Sequence, residues 1–82
     1  MTWRLTWHPA AEWGLLNKFP IRAIAEDLDA AVIHFAETGQ ARVTKIEGAS
    51  HAYRLRVEGA AADLFVDAQA RTILVTRVFR CR

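Results

Sequence analysis

The sequence predicts an α+β domain: an N-terminal strand, then a two-helix hairpin, then four strands completing a twisted antiparallel sheet whose one face both helices cover (β-α-α-β-β-β-β). Three observations predict it. Apolar residues recur at helical spacing from Ile21 to Phe35. Period-two alternation occupies residues 2–7 and returns through residues 43–78. Gly48, the Glu58-Gly59 pair and residues 68–71 interrupt that second stretch at hairpin intervals. At 82 residues the chain is read as a single domain, residues 1–82, and 52% hydrophobic content gives it the material for a core.

Residues 2–7 place Trp3, Leu5 and Trp7 on one side and Thr2, Arg4 and Thr6 on the other, the pattern of a half-buried strand. His8-Pro9 breaks it, and proline suits the first helical position, where its missing N–H costs nothing. A short helix is expected over residues 9–16 with Trp13 and Leu16 turned inward; Gly14 weakens it by about 1 kcal/mol relative to alanine. A second helix is expected over residues 20–37, its stripe formed by Ile21, Ile24, Ala25, Leu28, Val32 and Phe35. Glu26, Asp27, Asp29 and Glu37 fall off that stripe, and Gly39 is placed to cap the end in the left-handed region. Strands are expected over residues 41–46, 51–57, 60–67 and 72–79. Short turns between them make an antiparallel meander. The helices must share one face, because only there are their apolar stripes buried.

Charge is unevenly spread. Residues 1–41 carry three Lys/Arg against five Asp/Glu, and residues 42–82 carry eight against four, so the net charge of +2 divides into −2 and +4. The second half therefore points to an acidic partner. Alternation puts Tyr53, Leu55 and Val57 on one face and Arg54 and Arg56 on the other. Arginine holds its charge and forks onto phosphate oxygens, so such a face suits a polyanion. Asp63, within an otherwise apolar strand, is either exposed or paired with an arginine of a neighbouring strand.

Other chemistries find little support. No apolar run reaches the roughly 18 residues of a membrane span, the first residues lack a signal-peptide layout, and one cysteine makes no internal disulfide, so a cytoplasmic setting is expected. His8, His34, His51 and Cys81 lie on four elements without the close ligand spacing of a metal site, so neither metal nor cofactor is expected. Trp3, Trp7 and Trp13 could stack bases, but the parity Trp3 and Trp7 share with Leu5 favours packing roles.

The chain resembles the RelE/ParE toxin superfamily, the toxin halves of bacterial type II toxin–antitoxin pairs. The resemblance rests on Lys45-Ile46-Glu47-Gly48, Tyr53-Arg54-Leu55-Arg56-Val57, a strand ending at Asp67, and Ile73-Leu74-Val75-Thr76-Arg77-Val78. His8-Pro9-Ala10-Ala11-Glu12 and Phe35-Ala36-Glu37-Thr38-Gly39 at the two helix ends add to it. It implies a RelE-like fold, a cognate antitoxin as partner, and ribosome-dependent mRNA cleavage. A ParE-like inhibitor of DNA gyrase, or an inactive homologue that only binds its antitoxin or pairs with itself, are the alternatives. In the nuclease version Arg54, Arg56, Arg80 and Arg82 are the implied catalytic residues. Lys45, Arg54, Arg56 and Arg77 are the implied nucleic-acid contacts. Cleavage through a 2′-hydroxyl needs charge stabilisation and proton transfer, and arginines two strand positions apart, about 7 Å, match a scissile phosphate. Three departures from the family pattern oppose catalysis: Ala61 and Cys81 replace usual arginines, and no C-terminal tyrosine follows Arg82.

Overall fold

The computed structural model describes residues 3–19 and 21–81. Its elements run β1 (Arg4–Trp7), α1 (Pro9–Asn17), α2 (Arg22–Thr38), β2 (Val43–Lys45), β3 (Ala52–Val57), β4 (Ala60–Asp67) and β5 (Thr72–Arg80). Thr2, Pro20 and Arg82, which the expected strand, helix and cationic tail included, lie outside the described residues.

The five strands form one sheet in the order β1-β5-β4-β3-β2. Four of them make the expected antiparallel meander, but β1 pairs parallel with β5, from Arg4 opposite Thr72 to Trp7 opposite Val75, so the sheet is mixed. The helices are the reason. They carry the chain from β1 at one edge to β2 at the other, and the meander then returns to β1 with β5 running the same way. The 17 residues of α2 span about 25 Å, enough to cross five strands spaced about 4.8 Å apart.

α2 is built as its stripe foretells. Leu28, Val32, Phe35 and Ala36 are buried against Leu55, Ala60, Ala62, Leu64, Ile73, Val75 and Val78 of the sheet. Gly39 closes it at φ 73°, donating its N–H to the Phe35 carbonyl at 2.8 Å. Ile21 stands at the N-cap and is exposed, because the stripe meets the sheet only from Ile24 onward.

α1 corrects an expectation. Trp13 and Leu16 are 61% and 75% exposed, and Ala11 and Gly14 are the residues turned inward. α1 lies so close on β5 that a Cβ at position 14 would stand 2.9 Å from Val78 Cγ2. Only the smallest side chains fit directly under the helix, so Leu15 packs half-buried against the core while Trp13 and Leu16 face away. Gly14 thus serves close approach, and its intrinsic helix cost accompanies that packing. His8 caps this helix, its Nδ1 accepting from the Ala10 N–H at 3.1 Å.

Trp3, Leu5 and Trp7 pack half-buried on the core, in keeping with the packing role that their parity implies. β2 is shorter than expected, three residues rather than six.

Candidate functional site

The face of the sheet away from the helices carries the candidate site. Leu55 is buried in the core, so Arg54 and Arg56 on either side of it point the other way. Register then fixes their neighbours. Arg54 lies opposite Asp63, which lies opposite Arg77; Arg56 lies opposite Ala61, which lies opposite Phe79.

Strict alternation would bury Arg77 on the same side as Ile73 and Val75. It does not, because the β4–β5 register shifts between Asp63 and Leu64, leaving Thr76 as an extra residue in β5. Such a bulge re-aims the side chains that follow it. Thr76 anchors it by donating its hydroxyl to the Asp63 carbonyl at 3.1 Å. Beyond the bulge Val78 turns into the core, while Arg77 and Phe79 take the outer face.

Asp63 is the centre of this face. Its Oδ1 accepts from Arg54 Nε at 2.8 Å, and its Oδ2 accepts from Arg54 Nη2 at 3.3 Å and from Arg77 Nε at 2.7 Å. Both guanidinium groups lie over the Phe79 ring, their Cζ atoms 4.8 Å and 5.1 Å from its centroid. Asp63 is only 8% exposed. Burial pushes its carboxyl up, but the hydrogen bonds and charges of Arg54 and Arg77 outweigh that and hold it below the usual aspartate value. The Arg54 guanidinium is raised above its ordinary value, chiefly by its hydrogen bond to Asp63. Asp63 therefore stays ionised, and a carboxylate so held is a poor proton acceptor or donor.

Arg56 is exposed, and its side chain makes no hydrogen bond or ion pair with any described residue. Beside it stands Arg42, also exposed, whose carbonyl accepts the Arg56 N–H at 3.4 Å. Sequence reasoning missed Arg42, although the expected strand over residues 41–46 held it, because the parity of that strand relative to Arg54 and Arg56 depends on the pairing of β2 with β3. Carrying the parity of Thr44, which lies opposite Arg54, back by one step would have found it. Phe79 was missed because strict alternation gives it the inner parity of Ile73 and Val75, which the bulge reverses. At the other end of the face Phe65, 42% exposed, meets the His51 ring edge-on at 6.0 Å between centroids.

Not every expected contact residue joins this face. Lys45 lies opposite Tyr53, on the parity of the helix side. Arg80 lies opposite Ala60, likewise on the inner parity, exposed at the strand end. The structure thus brings Arg54, Arg56 and Arg77 together and leaves Lys45 and Arg80 elsewhere; Arg82 lies outside the described residues. Ala61, where the resemblance calls for arginine, is fully buried on the outer parity opposite Phe79.

This element order and sheet topology recur in solved structures. The isolated RelE toxin of E. coli matches with a TM-score of 0.81 at 14% identity, over 99% of this chain and 86% of that one. The fold is RelE-like. The RelBE2 toxin–antitoxin complex of Mycobacterium tuberculosis matches with a TM-score of 0.79 at 15% identity, over 99% and 93% of the two chains. The RelB–RelE antitoxin–toxin complex of Methanococcus jannaschii matches at 0.72 and 19% identity, over 92% and 88%. No protein-family model and no curated protein sequence matches the chain. At such identities the likeness is one of fold, and function has to be argued from the site that this RelE-like scaffold carries. Among the described residues no helix is long and apolar enough to cross a membrane.

Proposed function

We propose that this chain is the toxin of a type II toxin–antitoxin pair, acting in the cytoplasm on ribosome-bound mRNA and held in check by a cognate antitoxin. The RelE-like fold supports the toxin class, since the neighbours that share it are RelE toxins and RelBE complexes. The observation that carries the reading is the gathering of Arg42, Arg54, Arg56 and Arg77 on one bare sheet face, three of them aimed there by alternation and the fourth by a bulge. Phosphate contacts of this kind position a strand without reading its bases. Arg42 and Arg56 grip the backbone, and the outward nitrogens of Arg54 and Arg77 face a phosphorane as it gains charge. The antitoxin supplies an acidic segment that orders on contact with the same face.

One observation favours a second reading, an inactive homologue that only binds its antitoxin. Asp63 engages both Arg54 and Arg77, so this carboxylate is not free to carry a proton for cleavage. Induced expression separates the readings. Rapid cutting of mRNA at A-site codons, relieved by co-expressed antitoxin and lost in an Arg54→Ala/Arg56→Ala double variant that stays folded, is the expected result. Unimpaired growth selects the inactive homologue. Arrested replication with an SOS response and intact mRNA selects gyrase inhibition.

A further inference from the structure

Arg54 and Arg77 are the cations at the middle of the outer face, yet one internal carboxylate already sits between them. Asp63 takes up Nε and Nη2 of Arg54 and Nε of Arg77. The Nη1 of Arg54 and both Nη of Arg77 make no hydrogen bond with any described residue. The Phe79 ring lies under both groups, within cation–π reach of each. Arg42 and Arg56, one row along the strands and about 7 Å away, form no ion pair with any described carboxylate. The face is therefore divided into a masked pair and an unmasked pair of arginines.

We propose that Asp63 is a built-in competitor for phosphate, an internal anion that occupies the Arg54–Arg77 fork and limits how tightly the outer face holds single-stranded RNA. This rests on the RNA-directed reading above and adds to it the residue that sets affinity. One feature favours RNA over an acidic peptide, since the guanidinium fork itself matches phosphate and carboxylate alike. The exposed Phe65 ring, one row from Asp63 on the same face and met by His51, offers a stacking surface that a peptide has no need of. The local charge of the masked fork is +1, and neutralising Asp63 makes it +2. Each further phosphate neutralised on a single strand adds about 0.7 to the slope of log affinity against log salt.

The test is equilibrium binding of the full chain to a labelled oligouridylate across a salt series. Asp63→Asn keeps the shape and one acceptor oxygen while removing the charge. It is expected to bind about ten-fold tighter at low salt, the worth of one charge-assisted hydrogen bond, with a slope steeper by about 0.7. Unchanged or weaker binding overturns the proposal, the latter making Asp63 a positioning residue. If a melting curve shows that Asp63→Asn does not fold, two variants on the native background decide. Arg42→Gln/Arg56→Gln is expected to lower the slope by about 1.4, and Arg54→Gln/Arg77→Gln by about half as much, because the masked pair with its net charge of +1 neutralises one phosphate rather than two; equal losses overturn the mask. Absence of binding by native chain and variants alike removes the polyanion face and the mask together. Growth arrest is read separately, so a chain that shows the salt shift but never arrests growth loses the toxin assignment and keeps the mask.

Discussion

The two faces of this sheet are built by different rules. The face under the helices is a packing surface: Leu55, Ala60, Ala62, Leu64, Ile73, Val75 and Val78 meet α2 and α1 with almost no exposure. Each but Val78, which the bulge turns inward, is there because of its own parity and its own apolar character. The outer face is a relational surface. Asp63 means little on its strand, and only the register that sets it between Arg54 and Arg77 makes it the hub of a charged row. Burial stabilises the first face in proportion to area, whereas the second is held by a few charge-assisted bonds and is free to meet a partner. Stability and binding are accordingly separable by mutation.

The largest effect is expected on the inner face. Leu28 is fully buried, and Leu28→Ala should cost about 2–5 kcal/mol through lost burial and the cavity left behind. At about 4–8 °C per kcal/mol for a domain of this size, the Tm falls by at least about 8 °C. Chemical denaturation measures it. A loss below about 1 kcal/mol would mean that the helices are not anchored through this stripe.

The next effect belongs to the outer face and carries a pH signature. The carboxyl of Asp63 is lower in the folded state than its ordinary value of 3.8. A group so depressed contributes stability that is fully present above the unfolded value and disappears as pH falls through the folded one. At neutral pH Asp63→Asn should cost about 1–3 kcal/mol, the worth of hydrogen bonds to a charged group. The gap between native chain and variant should then close below about pH 4. Parallel stability curves across that range would show that the ionised carboxylate is not what joins Arg54 to Arg77.

These two cases also show how much was legible beforehand. The α2 stripe from Ile24 onward, the Gly39 cap and the outward aim of Arg54 and Arg56 follow from spacing within one element, and each stands where the sequence puts it. What failed depended on a second element. Trp13 and Leu16 look inward-facing on a helix wheel, but the tight seat of α1 on β5 buries Ala11 and Gly14 instead. Lys45 reads as a cation beside Gly48, and only its pairing with Tyr53 reveals the wrong parity. The bulge at Thr76 has no local signature; its sign is the Asp63 carbonyl on the neighbouring strand. The parallel β1–β5 pair likewise depends on where two helices deliver the chain.

Gly14 tests that dependence with a smaller effect. Alanine is the better helix former by about 1 kcal/mol, so Gly14→Ala would stabilise an isolated α1. Here its Cβ would stand 2.9 Å from Val78 Cγ2, and overpacking costs about 1–3 kcal/mol. The net expectation is a loss of about 1 kcal/mol that reverses to a gain in a Val78→Ala background. A double-mutant cycle in urea measures the coupling. Additive effects would place the close approach elsewhere.

The smallest change in stability is expected at Phe65, and there the contrast between the faces is sharpest. Its ring stands 42% exposed on the outer face, outside the buried core. Phe65→Ser should shift folding stability by no more than about 0.5 kcal/mol, as substitutions away from packed features do. If the outer face holds single-stranded RNA with a base on that ring, the same change lowers oligouridylate affinity by about 1–3 kcal/mol, the usual worth of one base–aromatic stack. That loss should leave the salt slope unchanged, since no phosphate contact is removed. A fall in slope would instead mean that Phe65 supports the arginines from below, as Phe79 does. A fall in Tm without loss of affinity would return the ring to packing.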